Sequence, residues 1–494
     1  MTNSLSTADK INAWFAPMVD LLSEVLFWDP VAAFGFDVNA RVPLVVLILI
    51  LGGAYFTIKM GFVNIYGFRH AVGLVRGRYT KPEDRGEVSS FQALATALSA
   101  TVGLGNIAGV AIAMMIGGPG ATFWMITAGF FGMSLKFTEC TLGMKYRVID
   151  QDGVVSGGPM YYLRDGLAGR NLKFTGKVLS VIFAIIMVVA SWGGGNMFQS
   201  NQAYSQMLFL FPFMEGMGFV FGIALAFLVG IVIIGGIKSI ARVTSRVVPF
   251  MAILYVGTSM VIILMNFHEI GNAIALIFKG AFSAPALKGG IIGVLITGFQ
   301  RGAFSNEAGL GSASIAHSVA KTEEPVSEGL VALLEPFIDT VVICTMTAMV
   351  IIITGMYTNP HGLEGAPLTS AAFETVFSWF PYLLGLAILL FAFSTMISWS
   401  YYGLKGFDFL FGKLSQRLFG SKKVAAVFFQ LIFLFFIVVG SSSNLVSVID
   451  FSDMMILSLA FPNVIGLFIL APEIKKDLNS YFLRRKNGVI RPYR

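Results

Sequence analysis

Charged side chains are scarce in this chain: Asp, Glu, Lys and Arg make up 12% of its 494 residues. A soluble globular domain averages about 25%. Here 56% of the residues are hydrophobic and the mean hydropathy is +0.78. These values exclude a water-soluble fold and indicate a polytopic membrane protein that is surrounded by lipid.

Several other features are few or missing. The two cysteines, Cys140 and Cys344, fall in apolar runs, which predicts buried thiols and leaves the compartment undetermined. The four histidines lie near loops or predicted span ends and indicate neither a metal cluster nor a proton relay. We find no P-loop, zinc-ligand spacing or nucleotide-binding domain, so the chain is predicted to be neither an enzyme nor driven by ATP. The net charge of +7 predicts no nucleic-acid partner, because the basic residues cluster in particular loops.

Two glycine-rich interruptions stand within otherwise apolar segments, at Ser99–Gly109 and Thr297–Gly311. Unwound backbone at membrane depth is tolerated only where it lies within protein or lines a cavity. Free N–H groups of one half-helix can hold a carboxylate, and carbonyls of the other half can hold a cation. A matched pair of broken helices therefore predicts a secondary transporter. The alternative is close helix packing through small residues.

Apolar runs long enough to cross a membrane predict eleven transmembrane helices, with boundaries good to about four residues. Loops rich in Lys and Arg alternate with loops that are poor in them, which predicts a multi-pass plasma (inner) membrane protein with its N-terminus outside and its C-terminus cytoplasmic. The predicted spans lie near residues 41–61, 88–116, 120–146, 175–209, 217–237, 243–266, 287–318, 327–356, 381–411, 423–441 and 445–471.

The two broken spans open two halves of five spans each, and an odd number gives the halves opposite topology. The prediction is an all-α fold with a five-plus-five inverted repeat, preceded by one extra helix. Residues Ile11–Phe27 are interpreted as an amphipathic helix that lies on the membrane surface or packs on the bundle. The predicted regions are an extracytoplasmic segment (1–40), the extra span with a basic cytoplasmic loop (41–87), the first repeat (88–266), the second repeat (267–471) and a basic cytoplasmic tail (472–494).

The chain resembles the alanine/glycine:cation symporter family along nearly its whole length. The resemblance implies a fold like that of the bacterial leucine transporter, and sodium-driven uptake of alanine or glycine with one or two co-transported Na⁺. Each motif is weak alone, and together they are specific. The motifs that carry the resemblance are Ser99–Gly109, Gly117–Ala121, Ser156–Tyr162, Gly195–Asn201, Phe304–Gly311 and Phe393–Met396.

Candidate substrate-binding residues cluster at the breaks and on span four. N–H groups near Leu104 would take the substrate carboxylate, and Phe299 or Phe304 would form a wall. Asn196 and Gln199 lie three residues apart and are interpreted as facing one way, toward the substrate, the unwound span or a neighbouring helix. The candidate substrate residues are Thr101, Gly103, Leu104, Gly105, Asn196, Gln199, Phe299 and Phe304.

Candidate cation ligands are oxygens of spans two, seven and nine. Phe391, Ser394 and Thr395 share one helix face, and their spacing resembles the sodium site common to the fold. The alternative is back-bonding of the hydroxyls to their own helix. The candidate cation ligands are Ser99, Thr101, Val102, Asn106, Thr297, Phe391, Ser394 and Thr395.

Charged residues inside the predicted spans should each have a partner. Glu139 is predicted to brace the broken helices by accepting their N–H groups, and Asp339 to be a further cation ligand. Arg301 and Glu307 are interpreted as a gate pair or as static braces.

The sequence leaves other functions open. They are a proton- or sodium-coupled carrier of another small zwitterion, an ion channel, and an intramembrane enzyme. Two separated breaks argue against a channel, and no nucleophile–base pair stands out.

Overall fold

The computed structural model describes residues 24, 27–36, 38, 40–151, 153–283, 290–358 and 362–493. The amphipathic helix predicted over Ile11–Phe27 lies almost entirely outside the described residues, and so does most of the predicted extracytoplasmic segment.

The described residues of the first half form helices, connecting loops and one short hairpin. Its two strands, β1 (Val148–Ile149) and β2 (Val155–Ser156), are antiparallel, with Val148 opposite Ser156. The helices of this half are α1 (Pro30–Ala33), α2 (Leu44–Lys59), α3 (Val63–Tyr66), α4 (Phe68–Val75), α5 (Ser90–Thr101), α6 (Ala108–Gly117), α7 (Gly120–Lys145), α8 (Pro159–Tyr161), α9 (Lys173–Trp192), α10 (Phe198–Leu210), α11 (Gly218–Ile233) and α12 (Gly236–Met265).

The described residues of the second half form helices joined by turns and loops, and Ala320 forms an isolated parallel bridge with Val88. Short 3₁₀ turns cover Pro212–Met214 and Phe267–Glu269 on either side of α11 and α12. The helices of this half are α13 (Ile270–Phe282), α14 (Gly290–Asn306), α15 (Ala313–His317), α16 (Pro325–Ala332), α17 (Leu334–Pro336), α18 (Thr345–Ile353), α19 (Gly365–Glu374), α20 (Phe380–Phe419), α21 (Lys423–Ser442), α22 (Leu445–Ser458) and α23 (Ala460–Lys486).

Within the described residues, six helical stretches are long and apolar enough to cross a membrane, or seven if the bent pair α5–α6 counts as one span. The number of eleven spans is therefore not confirmed. Three features explain why fewer helices meet these criteria than were predicted. Helices α2 and α11 have 16 residues each, α14 ends after 17 residues at the second break, and α7 contains the charged residues Lys136 and Glu139. The six stretches are Lys173–Leu210, Gly236–Met265, Pro325–Ile353, Phe380–Phe419, Lys423–Ser442 and Leu445–Lys486.

The first predicted interruption is present as a break between α5 and α6. Helix α5 begins with a capping box, in which Ser89 and Gln92 satisfy each other's backbone N–H groups. It ends at Thr101, a 3₁₀ turn covers Leu104–Asn106, and the two half-helices meet at a bend of 55°. We call residues 102–107 the first break.

The second predicted interruption is also present, between α14 and α15. Residues 307–312 are non-helical, and we call them the second break. Glu307, Gly309 and Gly311 have φ values of 55°, 84° and 80°. Glycine adopts this left-handed backbone without strain, and a residue with a side chain rarely does. The first break lies against the end of α14, just before the second break, since a Cβ added to Gly105 would lie 3.4 Å from the Ser305 Cα atom.

Three π-helical turns interrupt other helices, and they shift the faces that those helices present. They cover Tyr162–Gly166, Gly193–Met197 and Phe337–Cys344. Such turns insert an extra residue into a helix and are frequent at functional sites. The second joins α9 to α10 beside the first break, and the third joins α17 to α18.

Candidate transport site

Glycine and amide groups satisfy the unwound backbone of the first break. The Gly103 N–H donates to Asn106 Oδ1 at 2.9 Å, and the Leu104 N–H donates to Gln199 Oε1 at 3.0 Å. Gln199 is itself held by a bond from its Nε2 to the Gly194 carbonyl at 2.8 Å. Gln199 thus contacts the unwound span, which is one of the three roles considered for it. The Leu104 N–H, predicted to take a substrate carboxylate, is already paired with this amide oxygen.

Asn106 joins the first break to the π-turn that contains Asp339. Its Nδ2 donates to Asp339 Oδ1 at 2.6 Å, and the Thr347 hydroxyl donates to its carbonyl at 2.7 Å. Ser305, at the end of α14, and Thr340 donate to Asp339 Oδ2 at 2.9 and 2.7 Å. Donor groups from the first break, α14 and the π-turn therefore converge on one buried carboxylate. Its oxygens and the two hydroxyls are ligand types that a hard cation takes, and the ligand roles of Asn106 and Asp339 stay predictions.

The oxygens predicted for a sodium site on span nine are brought together with the end of α5. The Thr395 hydroxyl donates to the Ser99 carbonyl at 2.9 Å, and the Ser99 hydroxyl donates to the Ser394 carbonyl at 2.6 Å. Ser394 Oγ also bonds the Phe391 carbonyl at 3.1 Å, which is the back-bonding geometry. Val102 follows at the buried end of α5. Back-bonding and cation binding use the same oxygens here, so the geometry is compatible with both.

Phe304 lies at the first break, as one of the two predicted walls of the substrate site. A Cβ added to Gly105 would lie 3.6 Å from its ring, and a Cβ added to Gly194 would lie 3.3 Å from it. Its ring packs edge-on against Phe198, with 5.5 Å between centroids. Thr101 is buried beside this region, but its hydroxyl points back along α5 to the Ala97 carbonyl at 3.3 Å.

Phe299 and Thr297 are placed away from the first break. The Phe299 ring packs against Trp124 and Phe131 of α7, at centroid distances of 6.3 and 6.4 Å. The Thr297 hydroxyl bonds its own helix at the Gly293 carbonyl, and its methyl group lies against Gly117 at the end of α6. Thr297 stands nine residues before the end of α14, about 13 Å along the helix axis. Thr297 and Phe299 are close to the second break in sequence, but they lie on faces of α14 that point away from the first break.

The expectation that Asn196 and Gln199 face one way is wrong. Asn196 Nδ2 donates to the Phe433 carbonyl of α21 at 2.6 Å, whereas Gln199 reaches Leu104 in the first break. The physical reason is the π-turn at Gly193–Met197, which changes the angular spacing of the residues that it contains. Asn196 therefore makes the contact between helices, the third of the roles considered for it.

Two residues at the site were missed by the sequence reasoning, Trp399 and Ile456. A Cβ added to Gly195 would lie 2.3 Å from the Trp399 ring, and one added to Gly194 would lie 2.1 Å from Ile456. These glycines therefore permit the close approach of α20 and α22. Trp399 could have been found from its spacing, because it follows Thr395 by four residues and shares its helix face.

The second break is braced by carboxylates. Glu139 Oε2 accepts the N–H groups of Gly309 and Gly311 at 3.2 and 3.0 Å, and Asn463 Nδ2 at 3.2 Å. The predicted bracing role of Glu139 is confirmed. Glu307 accepts the Trp399 Nε1–H at 3.0 Å and also the Ser312 hydroxyl.

Arg301 and Glu307 do not pair with each other. Arg301 forms a two-pronged ion pair with Asp453 of α22, with 3.1 Å between Nη1 and Oδ1, and Gln300 donates to the same carboxylate at 3.2 Å. The Arg301 guanidinium lies 5.9 Å from the centre of the Phe304 ring. Each charge does have the partner that burial requires, but a partner distant in sequence could not be identified from spacing.

A fully buried charged cluster adjoins the second break, and we call Lys136, Glu139, His317, Glu328 and Glu335 the inner cluster. Lys136 Nζ lies 3.3 Å from Glu335 Oε2 and 3.8 Å from Glu139 Oε1. His317 lies between carboxylates, with Nδ1 2.7 Å from Glu328 Oε1 and Nε2 2.5 Å from Glu335 Oε1. His317 is the last residue of α15, near the end of a predicted span as expected, and it is fully buried.

Cys140 also borders the inner cluster. Its Sγ, one His317 ring nitrogen and one Glu335 oxygen lie within 4.8 Å of one another, which are ligand types for a metal ion. Both His317 nitrogens already meet carboxylates, and the Lys136 ammonium lies 3.3 Å from Glu335, so both cationic side chains have carboxylate partners without a metal ion.

Loop residues tie the region beyond the second break to the end of α7. The Arg147 guanidinium donates to the carbonyls of Ser318, Ala320 and Thr322 at 3.1, 2.7 and 2.8 Å. Nearby, a hydrogen bond from Arg85 lowers the pKa of the Glu323 carboxyl. That pair is exposed to solvent and contributes little stability.

Apolar spanning helices around two facing breaks, with glycines and amides at one break and carboxylates at the other, define a membrane transporter. The family model described as the sodium:alanine symporter family matches residues 33–493, so the chain belongs to that family and is not an enzyme.

Known proteins resemble the chain over most of its length. It is 40% identical to the sodium/alanine symporter AgcS of Methanococcus maripaludis, over 89% of this chain and 95% of that protein. It is 34% identical to the probable sodium/glutamine symporter GlnT of Bacillus subtilis, over 90% of this chain and 89% of that protein. It is similar to the solved structure of MhsT in complex with L-phenylalanine, with a TM-score of 0.49 and 14% identity over 78% of this chain and 98% of that chain.

Proposed function

We propose that the protein couples the inward movement of Na⁺ to the uptake of a small neutral amino acid, alanine or glycine, by alternating access. The observation that carries this proposal is the convergence of oxygens from α5, α20 and the Asp339 π-turn on the first break. The family and the similarity to a sodium/alanine symporter support it. In this proposal the fold is the leucine-transporter-like inverted repeat, oriented with its C-terminus in the cytoplasm.

Two cation positions are proposed. One would use the carbonyls of Ser99, Val102 and Phe391 with the hydroxyls of Ser394 and Thr395. The other would use Asn106, Asp339 and Ser305, where a carboxylate supplies the charge. One Na⁺ that crosses the whole membrane inward gains about 2.3 kcal/mol per 100 mV, in addition to its concentration gradient.

The substrate is proposed to bind between the first break and the aromatic side chains of α14 and α20. Its carboxylate would take N–H groups at Gly103–Gly105, replacing the Gln199 oxygen on Leu104. Phe304, Trp399 and Ile456 would enclose the side chain, since all three lie against Gly194 or Gly195. Side chains packed this closely around the glycines favour a substrate with a small side chain over one with a branched side chain.

The Arg301–Asp453 pair is proposed to close one side of this site. The pair is nearly buried, with 8% and 6% of the two side chains exposed, and Arg301 lies over the Phe304 ring. Its separation would open a path to Phe304, whereas the Arg301–Glu307 pair considered from sequence has no contact to break.

Uptake of labelled alanine into proteoliposomes tests the proposal. An inward Na⁺ gradient should drive accumulation, and a proton gradient alone should not. The double substitution Ser394→Ala with Thr395→Val should raise the half-saturating Na⁺ concentration about tenfold or more, which corresponds to losing about 1.4 kcal/mol of ion affinity. Accumulation without Na⁺, or an unchanged Na⁺ requirement in the double variant, would contradict the proposal.

A matched control uses the same substitutions away from the breaks, Ser245→Ala with Thr354→Val. Both hydroxyls bond carbonyls of their own helices, Arg242 for Ser245 and Val350 and Ile351 for Thr354. Na⁺ dependence should therefore be unchanged. Competition by glutamine tests the second substrate class that the similarity to GlnT suggests.

A further inference from the structure

A cavity of about 660 Å³ lies apart from the transport site, between the β1–β2 hairpin, α9 and the C-terminal part of α20. Its size is within the range of small-molecule sites. The apolar part of its wall is formed by Val148 and Val154 of the hairpin, Val181 of α9 and Phe409 of α20. None of the residues used in the proposed function lines it.

The lining of this cavity contains five basic and three acidic side chains. Arg164 is paired with Asp165 through two hydrogen bonds of 2.7 Å, so these two charges offset each other. The remaining charged residues of the lining are four lysines, Lys173, Lys177, Lys413 and Lys422, and two aspartates, Asp150 and Asp408.

The four lysine ammonium groups have no hydrogen bond or ion pair with any other side chain that the structure describes, and all four residues are exposed. A fifth lysine, Lys405, lies behind the hairpin and donates to the Val155 carbonyl and Ser156 Oγ at 2.8 and 3.0 Å. Ser156 also lines the cavity, so the half-buried charge of Lys405 adds to the positive potential there. Like charges held together in this way repel each other and favour an anionic ligand.

The position of the cavity on α9 indicates which class of anion would bind in it. Lys177 and Val181 line it, while the adjoining face of the same helix exposes Val178, Ile182 and Ile185. Helix α9 is part of a membrane-crossing stretch, so exposed apolar residues there meet acyl chains. The cavity therefore joins a lysine-lined polar end to a lipid-facing apolar surface. Basic pockets between spanning helices commonly hold anionic lipid headgroups.

We propose that this cavity binds the phosphate headgroup of an anionic phospholipid, with Lys173 and Lys177 on one side and Lys413 and Lys422 on the other. The bound phosphate links α9 to α20 and to the start of α21. Because α20 also carries Thr395, lipid occupancy would influence transport. The inference rests on the chain spanning a membrane and not on sodium coupling.

Lipid retention by the purified full-length chain tests the proposal. Protein in mixed micelles of phosphatidylglycerol and phosphatidylcholine is washed in detergent, and retained lipid is counted by native mass spectrometry. The wild type should retain phosphatidylglycerol preferentially. Substituting Gln at Lys173, Lys177, Lys413 and Lys422 should reduce that retention about tenfold or more, because each Lys near an anionic lipid surface contributes about a further fivefold in affinity. Equal retention of the two lipids, or no loss in the variant, would overturn the proposal.

Two controls assign the effect to the cavity and to a lipid. A control variant replaces four exposed basic residues outside the cavity with Gln, and it should leave phosphatidylglycerol retention unchanged. The four residues are Lys238, Arg242, Arg246 and Lys321. Inorganic phosphate and soluble glycerophosphoglycerol are added as competitors. Weak competition by both supports a lipid site, whereas phosphate binding without lipid retention would overturn it. Both variants should elute as the wild type does in size exclusion, since the altered side chains are exposed.

Discussion

The two breaks of this transporter solve the same backbone problem with different chemistry. At the first break, freed N–H groups meet the neutral amide oxygens of Asn106 and Gln199. At the second, the N–H groups of Gly309 and Gly311 meet the buried carboxylate of Glu139. Neutral acceptors can exchange partners at little cost, whereas a buried carboxylate that loses its donors pays a large desolvation penalty. We therefore expect the first break to exchange hydrogen-bond partners during transport and the second break to hold its shape.

The difference extends to the surroundings of each break. Oxygens of Ser99, Thr395 and Asp339 surround the first break and leave lone pairs for a cation. The inner cluster adjoins the second break, and its Lys136 lies between two carboxylates. Substitutions should therefore abolish transport at the first break and destabilise the fold at the second.

The largest expected effect is on stability, in Lys136→Met. Removing the ammonium leaves Glu139 and Glu335 without their shared cation in a fully buried site. Breaking a buried pair in this way costs about 3–5 kcal/mol of unfolding free energy. Thermal unfolding followed by intrinsic fluorescence in one detergent measures the loss.

Two companion variants sharpen the stability test. Adding Glu335→Gln to Lys136→Met should recover much of the loss, because the amide oxygen still accepts from His317. Lys145→Met removes a half-exposed lysine that pairs with Glu473 and Asp477, and it should cost about 1 kcal/mol or less. Equal losses at Lys136 and Lys145 would mean that the inner cluster stabilises the second break no more than a half-exposed ion pair would, which would contradict its bracing role.

Next in size is the transport defect expected for Asn106→Leu. The substitution keeps the volume but deletes the acceptor for Gly103 and the donor to Asp339. A hydrogen bond to a charged group contributes about 1.5–3 kcal/mol, so uptake should fall by about 10- to 150-fold while the protein remains folded. Alanine uptake and size exclusion are measured on the same preparation.

Asn266→Leu serves as the control for Asn106→Leu. Asn266 ends α12 and bonds only the Ile262 carbonyl through its side chain. Its uptake should equal that of the wild type. Unfolding of the Asn106→Leu protein, or near-normal uptake by it, would contradict the ligand-exchange role of the first break.

Sequence patterns predicted the existence of both breaks and the role of Glu139. Glycines in an apolar run have few other uses at membrane depth, and a carboxylate there must find donors. The residues whose positions differ from expectation share one cause, which is that their helices are rotated differently from what the sequence spacing suggests. Asn196 turned toward α21 because of a π-turn, and Thr297 and Phe299 face α6 and α7 although their helix leads to a break.

Contacts between residues far apart in sequence were also beyond prediction. Arg301 pairs with Asp453, and His317 sits between Glu328 and Glu335, because helix packing sets these contacts. Sequence could say that each charge needs a partner but not which of the 27 acidic residues supplies it.

A smaller effect, on selectivity, is expected when α14 is altered on its two faces. Phe304 lies against Gly105 and Gly194, and Phe299 lies against α7. Phe304→Leu should enlarge the substrate site, so that leucine competes with labelled alanine about tenfold better, in line with the 1–3 kcal/mol of a methyl-sized contact. Phe299→Leu should leave the leucine-to-alanine ratio unchanged. Equal shifts in both variants would place the substrate elsewhere.

The smallest effect is expected for Thr297→Val, which tests whether α14 contributes a cation ligand far from its break. The Thr297 hydroxyl already bonds the Gly293 carbonyl at 2.9 Å and lies about 13 Å along the helix from Asn306. Valine keeps the shape and removes only a self-bonded hydroxyl, so the half-saturating Na⁺ concentration should stay within about twofold of wild type. Thr395→Val, the same substitution beside Ser99, should raise it about tenfold. A larger effect at Thr297 than at Thr395 would mean that Na⁺ binds at the end of α6, and the cation sites proposed at the first break would then be wrong.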